Sequence, residues 1–149
     1  MTQPAPSTTP YVYDVFISYR QREPDQSWAR NVLVPGIEAM GLKVCIDYRD
    51  FRLGKLLIKE MERAVETSKY TLAVLSPVYL DSGFTELENV LSEQLGLEKG
   101  QRRLICVLYQ PCQPRLSLRA HLWLDMSDTE KFTAGLPRLV SELQLSPEE

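Results

Sequence analysis

Five short apolar runs alternate with amphipathic segments along this chain, and that alternation leaves few folds open. The runs are Tyr11–Ser18, Leu42–Asp47, Tyr70–Ser76, Arg103–Tyr109 and a weaker one at His121–Leu124. Each is rich in Tyr, Val, Ile or Leu and too short for a helix, so each reads as a strand. Strands alternating with helical segments call for a parallel sheet covered on both faces. Right-handed crossovers then predict a flavodoxin-like three-layer α/β sandwich, with five parallel strands in the order 2-1-3-4-5. A chain of 149 residues suits one such domain with a real core.

Between the strands, Ser27 is placed to cap a helix starting at Trp28, with Ala29, Leu33, Ile37 and Met40 inward. Pro35-Gly36 should kink or end that helix, and Gly41 should stop it. A second helix is expected over 56–68, with Ile58, Met61, Val65 and Ser68 on its inner face and Lys59, Glu60, Glu62, Arg63 and Glu66 mostly outside. A third runs from about Phe84 or Thr85 to Leu97, and a last one from Thr129 to Leu143, capped by Ser127 or Asp128. The Arg20–Gln26 stretch and residues 48–55 read as charged loops, and Pro77 as the stop of the third strand. Residues 1–10, with three prolines, read as a disordered tail or linker, 11–143 as the domain, and 144–149 as a C-terminal linker.

The strands end in polar residues. Tyr13–Arg20 reads Y-D-V-F-I-S-Y-R, the second strand ends in Asp47 and the third in Ser76. Ligands of open α/β sheets bind outside the carboxyl ends of the strands, so Ser18, Tyr19, Arg20 and Asp47 are candidate site residues. Arg20 offers a guanidinium suited to phosphate oxygens. A net charge of −3 argues against reliance on nucleic-acid phosphate. No apolar run approaches the ~20 residues that span a bilayer, and the polar N-terminus lacks the features of a signal peptide. Cys45 and Cys106 lie in apolar runs and read as core, and Cys112 as a loop residue; three such thiols fit a reducing, cytoplasmic setting. The single histidine, His121, leaves no multi-histidine metal site in this chain, so no metal or other cofactor is expected.

The blocks Y-D-V-F-I-S-Y-R at 13–20, G-L-K-V-C-I-D at 41–47, L-G-K at 53–55 and L-S-P at 75–77 fall in order. Together they resemble the Toll/interleukin-1 receptor (TIR) domain over residues 11–143. The arginine after I-S-Y and the Phe84–Glu88 segment look most like the NAD+-cleaving branch, which includes plant immune, bacterial anti-phage and axon-degeneration TIR domains. In that branch a catalytic glutamate follows an aromatic by four residues, usually as W-x-x-x-E. Here Glu88 takes the glutamate position and Phe84 the aromatic one, a departure from tryptophan that keeps a ring to stack on but loses the indole N–H. The resemblance implies a substrate site built from Ser18, Tyr19, Arg20, Asp47, Gly54 and Phe84. It also implies an assembly loop at Asp50, Phe51, Arg52 and Leu53, through which the domain associates with other TIR domains, and a fused or partner sensor module.

The implied chemistry is consistent with a single carboxylate. Nicotinamide leaves NAD+ already as a neutral base, so no acid is needed, and one glutamate beneath the ribose can stabilise the oxocarbenium-like charge. Water attack gives ADP-ribose; attack by a group of the same nucleotide gives a cyclic isomer. The competing expectation is a non-catalytic adaptor in immune signalling that acts by TIR–TIR contact alone. A response regulator is excluded, because its phospho-acceptor aspartate would stand where Leu75-Ser76-Pro77 does.

Overall fold

The protein is described here by a computed structural model, which covers residues 11–82, 104–113 and 123–146. In chain order these form β1 (Tyr13–Ser18), α1 (Asp25–Trp28), a π-helical turn (Ala29–Leu33), α2 (Val34–Ala39), β2 (Val44–Cys45) and α3 (Asp47–Asp50). Then follow α4 (Leu57–Thr67), β3 (Ser68–Leu75), α5 (Pro77–Ser82), β4 (Leu104–Leu108), β5 (Trp123–Asp125) and α6 (Thr129–Leu143). All four strand pairings are parallel, and the order is β2-β1-β3-β4-β5, as the alternation required. The expected helix at Phe84–Leu97 lies outside the described residues.

The sheet divides the core in two, because side chains alternate across a strand. Val15 and Ile17 of β1, with Leu72 and Val74 of β3, face Leu33, Ile37, Leu139 and Leu143 on the α2/α6 side. Phe16 of β1, with Ala73 and Leu75 of β3, faces Ala64, Val65 and Tyr79 on the α4/α5 side. Cys45 and Cys106 are wholly buried on that second side, as the apolar runs around them implied.

Several local expectations are corrected. Ser27 does not cap the first helix. That helix begins at Asp25 after Pro24, and the Ser27 hydroxyl instead donates to Glu23 Oε2 at 2.7 Å. Pro35 does not end the helix, which continues to Ala39. Having no N–H, it cannot bond the carbonyl four residues back. The turn before it widens, and the Val34 amide reaches back five residues to the Ala29 carbonyl. β2 is two residues long, and Asp47, expected to end that strand, coils with residues 48–50 of the expected loop into α3. Ser68 opens β3 rather than closing α4, while Ile58 faces solvent. Pro77 lies beyond the end of β3, as expected, and also starts α5, a position at which its missing N–H is no loss. β5 spans Trp123–Asp125 and so runs one residue past the expected end at Leu124, while its expected first residues, 121 and 122, lie outside the described residues. The last helix matches its expected bounds, and Asp128 is its cap, its side chain accepting the Lys131 amide at 2.8 Å. Gly41 stops α2 as expected, at φ +94°, with its amide bonded to the Glu38 carbonyl.

Candidate functional site

β1 and β3 are neighbours at the point where strand order reverses, and their carboxyl ends carry the polar residues that the sequence singled out. A cavity of about 190 Å³ opens around the tip of β1. It is lined by Ser18, Tyr19, Arg20, Gln21 and Asp47, with Phe16, Phe51, Leu57 and Met61 supplying apolar walls. Four of the expected substrate residues therefore meet in one place. Gly54 does not line this cavity. It sits in an exposed turn in which the Lys55 amide points to the Arg52 carbonyl, and its φ of +82° suits the third position of a type II turn, which favours glycine. Phe84 and Glu88 lie outside the described residues.

Hydrogen bonds fix what each lining residue has left to offer. Ser18 is buried, and its Oγ pairs with the Tyr79 hydroxyl at 2.9 Å, tying the end of β1 to α5. Tyr19 donates its hydroxyl proton to Asp47 Oδ1 at 2.7 Å. Burial and that bond push the Tyr19 phenol well above its ordinary value, against the pull of Arg30, so it remains a donor across the physiological range. Asp47 Oδ1 also accepts the Tyr48 amide at 2.7 Å, and Oδ2 accepts from the Gln21 side chain. Both carboxylate oxygens are thus engaged by the protein itself, and Asp47 acts as the brace of the cavity lip. Arg20 is different. Its Nε is buried and has no hydrogen-bond partner among the described residues, so this guanidinium is the lining group with donor capacity to spare.

The 50–57 loop divides into an inward and an outward half. Phe51 turns in and stacks on Phe16, ring centres 5.9 Å apart. Leu53 is fully exposed, followed by Leu56 at 68% and Leu57 at 58%, with Arg52, Lys55 and Lys59 between and beside them. Glu60 holds the stem of the loop. Expected outside, it is buried, because its Oε1 accepts both the Arg52 amide at 2.8 Å and the Arg63 guanidinium at 2.7 Å. These donors hold the Glu60 carboxyl below its usual range. Arg63 also donates to the Asp50 carbonyl, and Asp50 Oδ2 accepts the Ile46 amide. Asp50 is therefore anchored inward, while Arg52 is hydrogen-bonded through its backbone amide.

Sequence reasoning missed Gln21, Arg30, Glu60, Tyr79 and Asp25. Asp25 had been read as part of a solvated loop. It is wholly buried and contacts the Ser76 hydroxyl at the end of β3. Helical spacing marks none of these residues: Gln21, Arg30, Tyr79 and Asp25 act across separate elements, and Glu60 is buried by the loop before its own helix as well as by Arg63. A second hollow, of about 270 Å³, lies over the ends of β4 and β5. Trp28 stacks there on Tyr109 at 4.5 Å, with Phe132 edge-on. Among the described residues, no group of three His, Cys, Asp or Glu side chains is placed to hold a metal, and no helix is long and apolar enough to cross a membrane.

A doubly wound sheet with its polar site at the β1/β3 crevice is the class these features define. The TIR-domain family model matches residues 15–140, and the chain belongs to that family. It is similar to Protein toll of Drosophila melanogaster, 31% identical over 126 residues, which covers 83% of this chain and 10% of that protein. Human Toll-like receptor 1 is 29% identical over 99 residues, covering 66% of this chain and 12% of the receptor. The chain thus spans only about a tenth of the curated relatives' length. Among solved structures, the TIR domain of the Toll-related receptor TRR-2 from Hydra magnipapillata superposes with a TM-score of 0.75 at 26% identity, covering 90% of this chain and 100% of that one.

Proposed function

We propose that this TIR domain is an NAD+ glycohydrolase that becomes active on self-association and works in immune or cell-death signalling. The observation that carries the reading is Arg20, a half-buried arginine with an unpartnered Nε in the cavity at the β1/β3 switch point, where a dinucleotide pyrophosphate would sit. In this reading Arg20 holds the pyrophosphate, Tyr19 and Phe51 wall the nucleotide, and Glu88 stabilises the cation that develops on the ribose as nicotinamide leaves. Phe84 stacks on the substrate base. The cavity of about 190 Å³ is smaller than the roughly 300–1,000 Å³ of a typical small-molecule site. It therefore accommodates one end of the dinucleotide, and the segment bearing Glu88 and a neighbouring copy complete the site. Dependence on self-association follows from that incompleteness.

A second reading has its own support. The fully exposed Leu53, with Leu56 and Leu57 beside it, is a surface built for contact, and the similarity to Toll and Toll-like receptors is consistent with a scaffold that signals by TIR–TIR pairing alone. One experiment separates the two. Concentrated or artificially oligomerised protein is incubated with NAD+, and products are resolved by mass spectrometry for wild type and Glu88→Ala. Nicotinamide release that Glu88→Ala abolishes supports the enzyme, and the co-product distinguishes ADP-ribose from a cyclic isomer. Release unaffected by Glu88→Ala removes Glu88 from the catalytic role. No release from assembled wild type leaves the scaffold reading.

A further inference from the structure

We propose that Arg30 is a positioning residue that locks the cavity lip to the root of the assembly loop, so that the two hold one shape. The proposal concerns the same site and rests on the reading of that cavity as the ligand site. Its basis is the directionality of four hydrogen bonds and two ring contacts.

Arg30 lies in the π-helical turn, half-buried, eleven residues from Tyr19. Its Nε–H donates to the Tyr19 hydroxyl oxygen at 2.8 Å. A guanidinium carries donors and no acceptor, so the Tyr19 oxygen must receive this bond and aim its own proton elsewhere. It aims at Asp47 Oδ1, 2.7 Å away. Without Arg30, the phenol is free to turn and to accept from water. Asp47 is the first residue of α3, and its carboxylate gathers the Tyr48 amide and the Gln21 side chain as well. One phenol proton, fixed in direction by Arg30, therefore sets a carboxylate that joins the β1 exit to the start of the loop.

The same guanidinium reaches past Tyr19. Its central carbon stands 4.3 Å from the centre of the Tyr48 ring and 5.7 Å from that of Tyr19. Tyr48 is half exposed, and the cation over its face gives it a partner that solvent does not. Arg30 thus holds two consecutive residues of the loop root, Asp47 through Tyr19 and Tyr48 directly. Beyond them, the amides of Arg49, Asp50 and Phe51 bond back to Ile46 and Asp47, completing α3. Arg30 itself does not line the cavity, so it acts through Tyr19 and Asp47 and not on a ligand.

The test is amide hydrogen exchange on the full chain without ligand, comparing wild type, Arg30→Ala, Arg30→Lys and Tyr19→Phe. Arg30→Ala should speed exchange across residues 47–51 at least tenfold and leave the β3 amides unchanged. Tyr19→Phe should have a similar effect, the double variant should add little more, and Arg30→Lys, which restores a donor without the stacking plane, should recover part of the protection. Unchanged exchange at 47–51 in Arg30→Ala overturns the proposal, as does a uniform rise that includes β3, which would mark a purely structural residue. With NAD+ as probe, Arg30→Ala should raise KM about tenfold and leave kcat within twofold; equal loss in kcat overturns the positioning role. If wild type releases no nicotinamide at all, the NAD+ reading fails while the exchange result still decides on Arg30.

Discussion

Asp25 makes a sharp prediction because its surroundings suit a neutral group better than a charged one. It is wholly buried, one carboxyl oxygen contacts the Ser76 hydroxyl, and the other, Oδ1, has no partner among the described residues. Burial pushes its carboxyl above the ordinary value of 3.8 and Glu23 adds to the rise, while the Ser76 hydroxyl and the residue's own amide pull it back. A carboxyl whose pKa is higher folded than unfolded holds its proton more tightly in the folded state. Its contribution to stability is therefore full in acid below the ordinary value and declines as pH rises towards the folded pKa. At neutral pH the charged, under-bonded group costs stability, on the order of 1–3 kcal/mol for an unsatisfied buried polar atom. Asp25→Asn keeps the shape and an oxygen for Ser76 but carries no charge. We expect it to stabilise the fold by about 1 kcal/mol at pH 7, read as a rise of roughly 2–4 °C in Tm for a domain of this size. The difference should shrink to nothing near pH 3. Asp25→Ala, which leaves a small void and takes the acceptor from the Ser76 hydroxyl proton while its oxygen still accepts the Tyr79 amide, should instead destabilise by about 1–3 kcal/mol. Paired thermal melts from pH 3 to 8 give the result. Should Asp25→Asn lose stability at pH 7 and match wild type in acid, Asp25 is an ionised and well-paired carboxylate and the reasoning fails.

Two further predictions concern the surface and the thiols. Leu53→Asp should leave Tm within about 1 °C, because Leu53 is fully exposed and packs on nothing, yet reduce self-association at least tenfold in sedimentation velocity; unchanged association would remove the loop tip from the interface. Cys45 and Cys106 are wholly buried, and burial pushes both thiols up to about 12, whereas Cys112 is partly exposed. Maleimide should modify one thiol quickly in native protein and the other two only on unfolding, and equal labelling of all three would contradict the packing on the α4/α5 side of the sheet.

The architecture was legible because burial on both faces writes itself into local composition. Val15, Phe16 and Ile17 are apolar in succession because both neighbouring layers claim them, and that run, repeated, fixes the class of fold. Polar strand ends located the cavity for the same reason: Ser18 and Asp47 interrupt runs that burial would otherwise continue. The supports of the site were not legible. Glu60 occurs among charges on an amphipathic helix, and only the approach of the Arg52 amide and the Arg63 guanidinium makes its burial tolerable. Asp25 reads as solvated until β3 brings Ser76 against it. Arg30 is one arginine after a tryptophan, and its partners arrive from two other elements. Phe51 and Leu53 are two residues apart in one loop, and nothing in their identities reveals that the first stacks inward on Phe16 while the second meets only water.

The widened turn before Pro35 places one more residue in the helix than a regular coil would hold over the same length. An α-helix advances by roughly 100° per residue, so the wide turn offsets the face presented by Ala29–Leu33 from that of α2 by about that angle. Leu33 and Ile37 stay against the sheet while Arg30 swings toward Tyr19. The direction of Arg30 is thereby governed by an exposed proline five residues away that does not line the cavity. Where a side chain at this site points is encoded partly by a missing N–H further along the helix, and grafting the strand ends and loop of this domain onto a scaffold whose first helix lacks the widened turn would transfer the residues of the site without their aim.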